Sequence, residues 1–162
     1  MNLFVDKYEI HSGDAWPERI KNALAHSKCM VAIWSPAYFK STWCKLECNV
    51  MFHREKQLEY RTQKNPTGLV LPIIVYDGVH FPPYTREIQH LDCRNFFRAS
   101  PAFKNTERYV DFEDLIIDWV PDVAEYINNA PHWSENYVKW LDDPVDFFNQ
   151  TSDSIFMPPT LE

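Results

Sequence analysis

The sequence predicts an α/β domain: a doubly wound, mostly parallel sheet with helices on both faces. Three observations point there. Short apolar runs alternate with helix-like stretches, the order that βαβ units produce. The run Cys29-Met30-Val31-Ala32-Ile33-Trp34 is apolar throughout, as a strand covered on both sides would be. A second such run follows at Leu69-Val70-Leu71-Pro72-Ile73-Ile74-Val75-Tyr76. The length of 162 residues suits one core, and 45% hydrophobic and 15% aromatic content excludes a disordered chain.

Taken in order, Leu3-Phe4-Val5 reads as a short strand ending at Asp6, and residues 7–14 as a polar loop around Gly13. Trp16-Pro17-Glu18-Arg19-Ile20 opens a helix, with Pro17 acceptable only in its first turn and Ile20, Ala23 and Leu24 facing inward. After the strand at 29–34, a helix begins near Ser41 and runs to about Tyr60. Residues 63–68 form a turn before the strand at 69–76, where Pro72 predicts a bulge or an edge position. Past Asp77-Gly78 the chain is loop-like through Pro82 and Pro83, until a short strand at Arg94-Asn95-Phe96-Phe97. Phe112 to Ile127 is the last long helix, with Pro121 as a kink or restart. From about Asn128 aromatics alternate with acids (Trp133, Tyr137, Trp140, Phe147, Phe148), as in a helix and arm wrapped over the domain. Residues 1–128 therefore form the domain and 129–162 an aromatic, acidic extension packed on it. Val31, Ile33, Leu71 and Ile73 should all be buried.

Charge and motifs remove several function classes. The formal net charge is −7, with no run of Lys and Arg, which argues against nucleic acid or an anionic membrane as partner. No apolar run approaches membrane-spanning length, and the N-terminus lacks a signal-peptide pattern. The four cysteines (Cys29, Cys44, Cys48, Cys93) lack CxxC spacing, so they read as reduced thiols in a cytoplasmic protein. Six histidines show no metal-ligand spacing, so no metal is expected. There is no GxSxG elbow, P-loop or GxGxxG.

One residue breaks the pattern. On the helix from Ser41, Trp43, Leu46, Glu47, Val50 and Met51 fall on one face, and the glutamate sits near the centre of an otherwise apolar stripe. A carboxylate there is desolvated, paired, or facing a cleft. Glu55 and Glu59 lie among Arg54, Lys56 and Gln57 and read as an ordinary polar stretch. In doubly wound sheets ligands bind beyond the carboxyl ends of the strands. Asp6, Ser35 and Glu47 all tend toward that edge.

These residues resemble a known family. Ile10-x-x-Gly13-x-x-Trp16 follows an Asp-ended strand; then come Ser27, Trp34-Ser35-Pro36-x-Tyr38-x-x-Ser41-x-Trp43-Cys44-x-x-Glu47 and Leu71-Pro72-Ile73. Together, over roughly residues 2–128, they are similar to a bacterial Toll/interleukin-1 receptor (TIR) domain, whose fold is flavodoxin-like. The Ser-Pro-x-Tyr to Trp-Cys-x-x-Glu segment is the most specific part. The strand–helix unit that begins such domains is absent before Asp6. The resemblance therefore implies an N-terminally short domain, without a loop that helps hold the ligand, which weighs against activity of this chain alone. It also leaves the strand at residues 2–5 with an unpaired flank, so self-association near residues 2–14 is expected.

The resemblance implies cleavage of NAD⁺ at the nicotinamide–ribose bond, in prokaryotic immune defence or signalling, with NAD⁺ as substrate and no cofactor. Glu47 maps onto the catalytic glutamate. Trp43 would pack by the nicotinamide or ribose, and Asp6, Ser35 and Tyr38 would border the substrate. One carboxylate is chemically sufficient. Glycosidases normally pair an acid with a carboxylate, but pyridinium nicotinamide leaves neutral without a proton. What remains is an anion that steadies the oxocarbenium-like centre. The other role the resemblance allows is a non-catalytic module that assembles with other TIR domains.

Overall fold

A computed structural model describes residues 16–78, 81–97 and 100–141 of the chain. The expected strand at 3–5, the loop at 7–14 and Asp6 lie outside the described residues. Helix α1 (Trp16–His26) leads into strand β1 (Met30–Trp34), a short helix α2 (Pro36–Lys40) and the long helix α3 (Thr42–Gln57). Strand β2 (Val70–Ile74) and a two-residue strand β3 (Leu91–Asp92) follow. Last among the described elements come α4 (Glu107–Asn129) and α5 (Asn136–Lys139), and single 3₁₀ turns at Pro83–Glu87 and Pro101–Asn105 lie between β2 and α4.

The sheet is parallel and runs in the order β1-β2-β3. Met30 pairs with Val70 and Trp34 with Ile74, while Ile73 and Ile74 pair with Leu91 and Asp92. The α/β architecture with a parallel sheet is as the sequence predicts. Its third strand lies at Leu91–Asp92, not at residues 94–97, of which 94–96 form a turn. Pro72 is neither at an edge nor in a bulge: it sits in the middle strand, in register with Ala32. Leu69 O accepts from Met30 N–H and Val75 N–H donates to Trp34 O, so odd-numbered residues of β2 bond toward β1. Pro72 therefore turns its missing N–H toward β3, which begins one pair later, opposite Ile73.

Alternation decides the two faces. Ala32 and Trp34 point into the core, joined there by Ile20, Leu24, Cys48, Met51, Phe52 and Phe81. Val31 and Ile33 point the other way and are 47% and 56% exposed, which corrects the expectation that this run is covered on both sides. Their cross-strand partners differ, since Leu71 is buried and Ile73 half-buried. The second face is thus covered over β2 but open over β1. α4 has no buried residue, and it keeps its length through Pro121. Trp119, Asp122 and Tyr126 of α4 line a cavity of about 660 Å³ whose other walls include Val70, Leu71 and Pro72 of β2.

The second half of α3 is not the polar stretch its sequence suggests. All residues from Cys48 to Glu55 are buried. Glu55 is 2% exposed, and one of its carboxylate oxygens accepts from the backbone N–H of Leu69 (2.5 Å) and of Val70 (2.9 Å). Its other oxygen takes Arg61 Nε at 2.7 Å, and Arg61 Nη2 donates on to Val70 O at 2.8 Å. A Cβ on Gly68 would fall 2.1 Å from Arg61 Nη2, so only glycine leaves room for this guanidinium. Arg54, also 2% exposed, donates to Ser27 O at 2.6 Å and to Leu24 O, and lies over the Tyr137 ring at 4.4 Å.

Candidate functional site

Two capped helix starts build the edge beyond β1. At Ser35 the chain leaves the strand in extended conformation, and its Oγ accepts from Tyr38 N–H at 3.2 Å. Pro36 then occupies the first turn of α2, where its missing N–H costs nothing. At Ser41 the device repeats: Oγ accepts from Cys44 N–H at 3.3 Å and opens α3. Each serine therefore serves a helix start, and Ser35 shapes the turn that carries Tyr38.

Aromatic rings hold this edge together. Phe39 packs on Trp34 at 5.6 Å and on Phe81 at 4.8 Å, and Tyr38 meets Phe39 edge-on at 5.4 Å. Trp34 is fully buried with an indole N–H that has no hydrogen-bond partner. The Tyr38 hydroxyl is likewise buried and unpartnered. Burial first, then the neighbouring Cys48 and Glu47, push the Tyr38 phenol well above its ordinary pKa. Burial also pushes the Cys48 thiol up.

Tyr38, Glu47 and the thiols of Cys44 and Cys48 are thus brought close enough to feel one another's charge. Trp43 and Glu47 are half-buried and one turn apart on α3, so their side chains lie along the same face. Asp6 lies outside the described residues. Sequence reasoning noted the two cysteines as thiols but not as neighbours of Tyr38, although their spacing on α3 was the available signal. Phe81, in a loop, offered none.

The carboxyl ends of the strands and the first turns of α3 form one edge. The 660 Å³ cavity lies at the opposite edge, near the start of β2, and none of these residues lines it. Among the described residues no three His, Cys, Asp or Glu side chains gather as a metal site. None of the described helices is long and apolar enough to cross a membrane.

The family profile described as TIR domain matches residues 1–110. The chain belongs to the TIR domain family. Two capped helices following strand β1 in this TIR domain carry the segment from Ser35 to Glu47, and the parallel sheet behind them is the fold expected of the family. No curated protein and no solved structure matches the chain.

Proposed function

We propose that this TIR domain cleaves the nicotinamide–ribose bond of NAD⁺, releasing nicotinamide with ADP-ribose or a cyclised form, in prokaryotic immune defence or signalling. The observation that carries the reading is the place of Glu47. It stands half-buried at the carboxyl edge of a parallel sheet, one turn after Trp43 and beside Tyr38. Glu47 is the catalytic carboxylate in this reading, steadying positive charge as the ribose C1′–N bond breaks. The leaving nicotinamide takes the bonding electrons and departs neutral, so no general acid is needed. Trp43, Ser35 and Tyr38 border the substrate, with Asp6. Residues 129–162 act as an extension of the domain formed by 1–128.

The test is nicotinamide release from NAD⁺ by the full chain, wild type against Glu47→Gln. Turnover by the wild type with a loss of about 10²-fold or more in the variant supports the reading. Equal turnover by both removes it.

A second reading, a TIR module that assembles with its own kind without chemistry, draws on the apolar surface. Val31 and Ile33 on β1 and Val110, Ile117 and Val120 on α4 are exposed. Sedimentation across a range of protein concentrations tests it, since a monomer throughout is incompatible with homotypic assembly.

A further inference from the structure

Buried polar atoms are nearly always paired, and one left unpaired calls for a reason. The Tyr38 hydroxyl is such an atom. Packing is not the reason, because phenylalanine would fill the same space without the desolvation cost. Nor is Tyr38 free to swing away. Phe39 holds its ring at 5.4 Å. Ser35 Oγ fixes the start of α2, and Ser41 N–H closes its end on the carbonyls of Ala37 (3.1 Å) and Tyr38 (3.2 Å). Cys48, Glu47 and Cys44 of α3 lie near enough to act on the Tyr38 phenol. The Cys48 contact lacks hydrogen-bond geometry, and a thiol is a weak acceptor in any case. Of the three, the carboxylate is the one strong acceptor.

We infer that Tyr38 is a positioning residue whose hydroxyl donates to the Glu47 carboxylate when substrate is bound, fixing the rotamer that presents the other carboxylate oxygen to the ribose. This rests on the reading of Glu47 as the catalytic carboxylate and deepens it. A carboxylate accepts at about four lone-pair positions, so the bond adds to the contacts Glu47 already has. Because its phenol titrates well above the ordinary tyrosine value, Tyr38 keeps its proton and serves purely as a donor. No proton moves to Glu47, which stays charged.

Tyr38→Phe in the full chain tests this, assayed for nicotinamide release and thermal unfolding beside wild type and Glu47→Gln. The expected result is a kcat lower by about tenfold, the rate equivalent of one hydrogen bond. KM for NAD⁺ should be unchanged and the melting temperature equal or higher. A lower melting temperature, with activity lost in step with the folded fraction, makes Tyr38 structural and overturns the inference. A raised KM with kcat intact leaves Tyr38 only the role of bordering the substrate and overturns the positioning role. Unchanged kcat in Tyr38→Phe while Glu47→Gln is inactive overturns this inference alone. Wild-type protein without turnover, or Glu47→Gln as active as wild type, instead removes the reading of Glu47 beneath it.

Discussion

The two ends of α3 each carry a glutamate, about two turns apart, and the contrast between them is instructive. Around Glu55 every strong group has its complement: two strand N–H groups, a guanidinium, and a glycine that makes room for it. Glu47 has an interaction of its own and lies near Tyr38, whose phenol it influences together with the thiols of Cys44 and Cys48. Residues 43–47 are all half-buried, whereas 48–55 are all buried. The proposed catalytic carboxylate is the less buried of the two. The deeper one is a structural joint, because its charge is matched where it lies.

The largest expected effect breaks the structural end. Glu55→Ala leaves Arg61 and the N–H groups of Leu69 and Val70 without their acceptor. Unfolding free energy should fall by about 3–5 kcal/mol, the scale for removing one partner of a buried pair, read from the urea midpoint. Nicotinamide release per folded molecule should not change. If stability is untouched, Glu55 is not the joint described here.

Glu47→Gln is the mirror experiment. Its cleavage rate should drop by about 10²-fold or more, equivalent to about 2.7 kcal/mol of transition-state stabilisation, with little shift in melting temperature. A large thermal shift with activity tracking the folded fraction would make both ends of α3 structural and erase the contrast.

Gly68→Ala comes next. The new methyl would displace Arg61 from Glu55, with an expected loss of about 1–3 kcal/mol. In a Glu55→Ala background the same change should cost much less, since the interaction it disturbs is already gone. Additive losses would mean that Gly68 acts elsewhere, and a double-mutant cycle by chemical denaturation decides.

The smallest effect is at an exposed pair. Hydrogen bonds from Arg94, at 2.6 Å and 2.8 Å, hold the Asp92 carboxyl at about 2. A depressed pKa stabilises the fold above the unfolded value of about 3.9, and the contribution is lost as pH falls toward the folded value. Because both groups are largely in solvent, Asp92→Asn should lower the melting temperature only slightly at neutral pH. The difference from wild type should vanish near pH 2. A gap that widens on acidification would contradict this.

Much of this fold was legible because burial writes itself into apolar runs: the runs at 29–34 and 69–76 contain the strands Met30–Trp34 and Val70–Ile74, and a helix follows Ser41. What the runs could not say is which neighbour arrives. Val31 is as apolar as Ala32, yet only one of them meets the core. The two residues of β3 form a strand because Ile73 and Ile74 offer a partner, not through local preference. Glu55 was misread because its partners lie beyond a loop, while its sequence neighbours Arg54 and Lys56 look solvated. At the site, Ser35, Tyr38, Trp43 and Glu47 were visible as a motif. The orphaned hydroxyl was not, since a missing partner leaves no mark on a sequence.

The guanidinium of Arg54 has a practical consequence for anyone trimming this chain. It closes the carbonyl end of α1 through Leu24 and Ser27, and its open face is roofed by Tyr137. Tyr137 lies well past the last residue matched to the family, and Ala130 and Leu141 beside it are buried too. A cut made where the family likeness stops would unroof a charged group deep in the core and leave α1 with a loosened end. The packed core thus reaches past the stretch matched to the family, and that packing should guide the scissors.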